Sequence, residues 1–325
     1  MAWEASASPE ESLEDCPLFL FGDEIGTSRV ETIIWDESRR CFSFRWPNLL
    51  DHMTTTKFFH DLQTSAPWDQ LKSKRGNIVR STCWYVRNGC CCDYTYGNAR
   101  VSSTQASRNQ FNQFSNIMEE LTALVFSSIA PDLSSEFWPN SANLNYYADG
   151  IQSVGWHSDD ENLFGGKRQD CSIISLSLGG RREFWIALKD ISEPIQDSVV
   201  ETDLRDGDVL SMEGMMQKNT VHFLTREPPQ RAEFWPPRIN ITWRWIVNHR
   251  HSCPLRNNST PTPPCPKDLR KSRWLSGARS ISPWTKPWSL HTGTKEWRCC
   301  MQCRHHGWQG GRNCVQVEGG DWLCR

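Results

Sequence analysis

The chain is 325 residues long, 38% hydrophobic and 23% charged, a composition that supports a sizeable buried core and excludes disorder throughout. The formal net charge of −2 excludes a uniformly basic polyanion binder, but the charge is unevenly placed. Residues 249–325 hold 13 Lys and Arg against 4 Asp and Glu, a net of +9, so the remainder carries −11; a basic tail behind an acidic body is either a nucleic-acid footprint or a solvated extension.

Residues 1–27 are acidic and Ser-rich and read as a flexible extension. They lack a basic start followed by an apolar run, and no apolar stretch is long enough to span a bilayer, so neither a signal peptide nor a membrane partner is expected. The expected location is intracellular, in the nucleus ahead of the cytoplasm. The 14 cysteines are then thiols or metal ligands before they are disulfides. Strand-like runs follow at 32–35, 41–44 and 78–85. Thr54, Thr55 and Thr56 precede Phe58, Phe59 and Leu62, which predicts a capped helix. Phe111, Phe114, Met118, Leu121 and Val125 recur at three and four residues, which predicts a helix over 108–128 with one face in the core. From 143 to 247 the pattern becomes a series of short strands, at 144–148, 172–178, 183–188, 209–212 and 239–247, separated by turns such as Asp206-Gly207-Asp208. Many strands after one helix, without alternating helices, predict a sandwich or jelly-roll barrel. A basic, Pro-, Ser- and Trp-rich linker (251–290) and a Cys-rich tail (291–325) complete the chain.

Two patterns carry chemistry. His157 and Asp159 stand two apart, so on an extended strand they point the same way. With a second imidazole they would form a two-His-one-carboxylate face with open positions, which suits non-haem Fe(II); alone, such a pair is more often a surface turn. His222 is the one histidine between Asp159 and Asn248. The second pattern is the alternation of Arg238, Asn240, Thr242 and Arg244 with Ile239, Ile241 and Trp243. Arginines turned into a barrel need an anionic partner, and a dicarboxylate cosubstrate would supply it; the alternative is a solvent-facing polar strand. In the tail, Cys300 and Cys303 have zinc-knuckle spacing, and Cys314 and Cys324 could complete four ligands. His305, His306 and Cys299 offer other registers, and the alternative is a tail of adventitious thiols.

These residues together resemble the AlkB family of nucleic-acid dealkylating dioxygenases, over roughly 80–247. Asn145-Tyr146-Tyr147, His157-Ser158-Asp159-Asp160-Glu161, Ser175-Leu176-Ser177-Leu178-Gly179, His222 and Arg238-x-Asn240-x-Thr242-x-Arg244 match family motifs in order. The resemblance implies a mainly β fold with flanking helices around a double-stranded β-helix (jelly-roll) core, spanning 28–250. It implies iron on His157, Asp159 and His222. It implies 2-oxoglutarate bound by Arg238 and Arg244, with Asn145, Tyr147 and Asn240 lining its pocket. It implies a substrate lid containing Trp84, Tyr85 and Tyr96, closest to the branch acting on 1-methyladenine and 3-methylcytosine, with Asp160 and Glu161 beside the base. Cys90-Cys91-Cys92 inside the lid departs from the family pattern.

The function implied is oxidative demethylation of N-alkylated bases in DNA or RNA, consuming molecular oxygen and 2-oxoglutarate and releasing formaldehyde and succinate, by a monomeric catalytic domain. The alternatives are the same chemistry on a modified tRNA, protein or lipid, or a catalytically silent nucleic-acid-binding relative. His157→Ala and Asp159→Ala are expected to abolish turnover without unfolding the protein.

Overall fold

The computed structural model describes residues 20–23, 29–73, 76–96, 99–101, 104–105, 110–111, 113–257, 314–316 and 322–324. Its main elements, in chain order, are β1 (Glu31–Asp36), β2 (Cys41–Trp46), α1 (His52–Ser65), β3 (Ser81–Val86), β4 (Tyr94–Tyr96), β5 (Ala99–Val101), α2 (Asn116–Ile129), β6 (Ser141–Tyr147), β7 (Val154–His157), β8 (Ile173–Gly179), β9 (Arg182–Asp190), β10 (Val200–Leu204), β11 (Val209–Gly214), β12 (Thr220–Leu224) and β13 (Arg238–Arg244). Seven strands form an antiparallel sheet in the order β1-β2-β11-β8-β13-β6-β3. The opposing sheet runs β7-β12-β9, with β10 and the short Glu193–Pro194 strand also paired to β9. From β6 onward the chain crosses between the sheets at almost every step, and that is the wrap of a jelly roll.

Strand β13 shows why this sequence folds this way. Ile239, Ile241 and Trp243 point to one face and are buried in the main core. There they meet Phe58 and Leu62 of α1 and Met118, Leu121 and Phe126 of α2. Burying each such side chain contributes ~1.5–3 kcal/mol. The Trp243 indole donates to Thr122 Oγ1 at 3.0 Å, so its polar edge is satisfied inside that core. The other face of β13 turns its polar residues toward the opposing sheet and lines a cavity between the two.

Several boundaries differ from expectation. Helix α1 is capped by Asp51, whose carboxylate accepts the Thr54 N–H, so the threonines lie inside the first turn. Helix α2 begins at Asn116, not near 108, because Ser115 accepts the Met118 N–H and ends the preceding extended segment. Phe114 therefore packs from a loop, edge-on to Tyr85. Leu20 and Phe21, read as part of a flexible extension, are buried in the main core, and the Phe21 N–H donates to Glu213 Oε2 at 2.8 Å. In the tail, Cys314–Gln316 pairs with Trp322–Cys324 and sets Cys314 opposite Cys324. Cys300 and Cys303, and hence the four-cysteine zinc set, lie outside the described residues.

Candidate active site

Three side chains converge at the mouth of the inter-sheet cavity. β7 and β12 are antiparallel neighbours, and His157 is the register partner of His222. This cross-strand pairing brings the two rings to 4.1 Å between centroids. β7 ends at His157, so Asp159 lies in the following loop and not on the strand as its spacing suggested. Gln217 holds it there by accepting the Asp159 N–H at 2.8 Å. The Asp159 oxygens stand 3.9 Å from His157 Nε2 and 3.9 Å from His222 Nε2. The donor atoms of the three residues all lie within 4.8 Å of one another, close enough to share one ion. His157 Nδ1 lies 2.8 Å from the Gly155 carbonyl, which directs Nε2 toward the common point.

The electrostatics suit a divalent cation. Burial pushes the His222 imidazole down to about 3, with the neighbouring His157 adding to the shift. His157 is likewise lowered by burial, against the pull of Asp159. Burial alone would raise Asp159, but Arg244 above all, then His222 and His157, hold it at about 2. Two neutral imidazoles and one carboxylate are the protonation state a metal requires.

The cavity is small, with about 60 Å³ open to a water-sized molecule. Arg238 lies at its inner end, 1% exposed. Its Nη2 donates to Ser177 Oγ (2.8 Å) and Asn240 Oδ1 (2.7 Å), and its Nε has no hydrogen-bond partner. Burial lowers this guanidinium to about 10, and no carboxylate acts on it; the largest opposing influence is Tyr147, over whose ring it sits at 5.6 Å. Arg238 is thus a buried cation with polar neighbours but no counter-charge among the described residues, placed where a small dicarboxylate would supply one. Asn145 and Asn240 also line the cavity; Asn145 accepts from Arg80 at 2.8 Å, and Asn240 donates to Thr242 at 2.8 Å.

Arg244 differs from Arg238. It donates to Asp159 at 2.5 Å and lies over the rings of Phe164 (5.1 Å) and Tyr94 (5.2 Å). The anionic partner that its burial demands is therefore the metal-site carboxylate. Arg244 also lines the cavity beside the three converging side chains, and its pairing with Asp159 is a feature the sequence did not signal.

The residues expected at the substrate side divide. Tyr94 lines the cavity, stacks on Trp84 (5.2 Å, 24°), and donates to Glu161 Oε1 at 2.8 Å. Glu161 Oε2 is buried without a partner. Burial first, then the charge of Asp159, raise its carboxyl to about 7. Trp84 is fully buried beneath Tyr94 and supports it without lining the cavity. Tyr85 points to the opposite face of β3, into the main core, because successive strand residues alternate; the structure does not bring it to the site. Asp160 turns away toward Lys167 (2.9 Å). The Tyr96 side chain lies outside the described residues. Arg80 and Gln217 also serve the site; both fall in segments that resemble family motifs, but sequence reasoning assigned neither a role of its own.

A family model described as the 2OG-Fe(II) oxygenase superfamily matches residues 45–244, ending on the last residue of β13. The Bos taurus protein named alpha-ketoglutarate-dependent dioxygenase alkB homolog 3 is 28% identical over 247 residues, covering 73% of this chain and 77% of its own. Its Homo sapiens counterpart is 28% identical over 226 residues, covering 67% and 69%. The Arabidopsis thaliana protein named DNA oxidative demethylase ALKBH2 is 26% identical over 209 residues, covering 58% and 62%. With its jelly-roll core and this site, the chain belongs to the 2OG-Fe(II) oxygenase superfamily, as an AlkB-like dioxygenase.

Proposed function

We propose that this protein oxidatively removes methyl groups from N-alkylated nucleobases in DNA or RNA. His157, Asp159 and His222 would hold Fe(II), and Arg238 would bind the distal carboxylate of 2-oxoglutarate. The donor set and the uncompensated Arg238 fit those two groups, which the superfamily implies. When bound, they supply the oxidising chemistry.

The chain's own residues then orient and exclude. Gln217 and Arg244 fix Asp159 from two sides. Ser177 and Asn240 hold Arg238 in place before any anion arrives. Tyr94, backed by Trp84, offers a flat face at the cavity, and an extruded base needs such a partner. The observation that carries the substrate reading is Glu161. Its unpartnered carboxylate oxygen beside Tyr94 is a buried acceptor placed for an electron-poor, positively charged edge. Methylation at a ring nitrogen of adenine or cytosine creates such an edge. The name of the Arabidopsis thaliana relative, a DNA oxidative demethylase, agrees with this reading.

The test is incubation with Fe(II), 2-oxoglutarate and oligonucleotides bearing single methylated bases, with products weighed by mass spectrometry. Loss of one methyl group with equimolar succinate is the expected result. Decarboxylation of 2-oxoglutarate that no methylated DNA or RNA stimulates would redirect the reading to a protein, lipid or modified tRNA.

A further inference from the structure

A second cluster of metal-ligating side chains lies outside the cavity. Cys90 and Cys92 sit in the loop between β3 and β4, and His249 and Cys253 follow β13. We propose that these four residues bind one zinc ion, which clamps the loop leading to Tyr94 onto the end of the barrel. Metal binding here does not depend on the substrate reading; the role given to the clamped loop does.

The distances carry the argument. His249 Nδ1 lies 3.5 Å from Cys90 Sγ, 3.6 Å from Cys92 Sγ and 3.4 Å from Cys253 Sγ, and the Cys90 and Cys253 sulfurs are 3.8 Å apart. Around a tetrahedral zinc, with Zn–S ~2.3 Å and Zn–N ~2.0 Å, sulfurs stand roughly 3.8 Å apart and sulfur and nitrogen roughly 3.5 Å. The observed separations are the edges of that tetrahedron. Hydrogen bonding gives no comparable account, because one imidazole nitrogen donates or accepts a single proton and cannot satisfy three equidistant thiols. A disulfide needs sulfurs at ~2.05 Å.

The surroundings agree. Cys90, Cys92 and Cys253 are buried in an apolar cluster with Trp84, Tyr94 and Phe164. Backbone N–H groups approach two of the sulfurs, from Cys92 to Cys90 (3.4 Å) and from Arg250 to Cys92 (3.2 Å), as thiolates favour. Cys91 packs against this cluster with its Sγ 3.6 Å from the Ser252 carbonyl, but it is not one of the four donors grouped within 4.8 Å of one another. Four protein donors leave no open position, so the site is structural. Its three thiolates select zinc, while the two imidazoles and carboxylate of the other site suit iron. His249 and Cys253 lie beyond residue 244, where the family match ends.

The clamp is coupled to the cavity. The Trp84 indole donates to the Cys92 carbonyl at 2.8 Å, and Arg250 donates to Thr95 at 2.8 Å. Tyr94 lies between those two tethers.

The experiment uses the full chain and reads the difference between variants, so any zinc held elsewhere in the chain cancels. Zinc per chain is measured by inductively coupled plasma mass spectrometry in wild type, in the Cys90→Ser/Cys253→Ser double variant and in Cys91→Ser. The double variant should lose one equivalent and Cys91→Ser none; an unchanged zinc content in the double variant overturns the proposal. Because the double variant can fail to fold, the wild type is also alkylated with iodoacetamide before and after chelation, then peptide-mapped. Cys90, Cys92 and Cys253 should react only after zinc is removed. Equal reaction in both samples, or a Cys90–Cys253 disulfide, would end the proposal whether or not any base is demethylated.

Discussion

Asp159 serves two partners, and its variants should separate them. As a metal donor it is matched by His157; as counter-ion to buried Arg244 it has no equal in the site. His157→Ala should abolish turnover and leave stability nearly unchanged. Asp159→Ala should abolish turnover and also cost ~3–5 kcal/mol, because it strands a buried guanidinium. This revises the expectation from sequence that both variants stay equally folded. Because the folded Asp159 sits at about 2, below its ordinary 3.8, its contribution is present above pH 4 and fades as pH falls toward 2. In metal-free protein the stability gap between wild type and Asp159→Asn should narrow over that window; a constant gap in urea unfolding would contradict the pairing. Arg238 behaves oppositely. Removing an uncompensated buried charge should not destabilise the protein, so Arg238→Met should keep the wild-type melting temperature without ligand. It should lose the rise that 2-oxoglutarate gives wild type. A retained rise in differential scanning fluorimetry would refute its role. Glu161 is raised to about 7, so it becomes anionic only as pH passes that value. For a cationic base kcat/KM should climb through pH 7, and Glu161→Gln should flatten the profile and lower its upper plateau by ~10–100-fold.

At the scale of elements, the site depends on register. β7 and β12 are four and five residues long, yet their pairing alone sets the two imidazoles face to face. Such short strands carry too little periodicity to fix their ends or register in advance: a strand was expected at His157 and another for His222, but not where they end or that they pair. β13 was legible as a strand from seven residues of strict alternation, although the alternation left open whether its polar face turned inward or to solvent. The α2 start was misread for a related reason: the apolar spacing runs on through Phe111 and Phe114, and only the Ser115 cap breaks it. Gly179 links the elements to the site. It has φ +82°, and a Cβ there would meet the Pro237 carbonyl at 2.5 Å, one residue before Arg238. Gly179→Ala should therefore destabilise the fold by ~1–3 kcal/mol and weaken 2-oxoglutarate binding together. Calorimetry showing full affinity in a destabilised variant would disconnect the turn from the site.

Across the whole molecule, what could be read from the sequence depended on how local the signal was. The grouping of His157, Asp159 and His222 was legible because two members are two residues apart and all three fall in segments that resemble family motifs. The cysteine clamp was not, since its halves are about 160 residues apart and the Cys90–Cys92 run suggested only an altered lid. The pairing of Arg244 with Asp159 was not legible either, because that carboxylate lies in a loop 85 residues away. The central claim is that two histidines, one aspartate and an unneutralised arginine form a single iron and 2-oxoglutarate site. Anaerobic isothermal titration calorimetry of metal-depleted, zinc-replete protein tests it most directly. One Fe(II) per chain should bind to wild type and none to His222→Ala, and 2-oxoglutarate should bind only after iron and only with Arg238 intact. Undiminished iron binding by His222→Ala, or undiminished 2-oxoglutarate binding by Arg238→Met, would contradict the account.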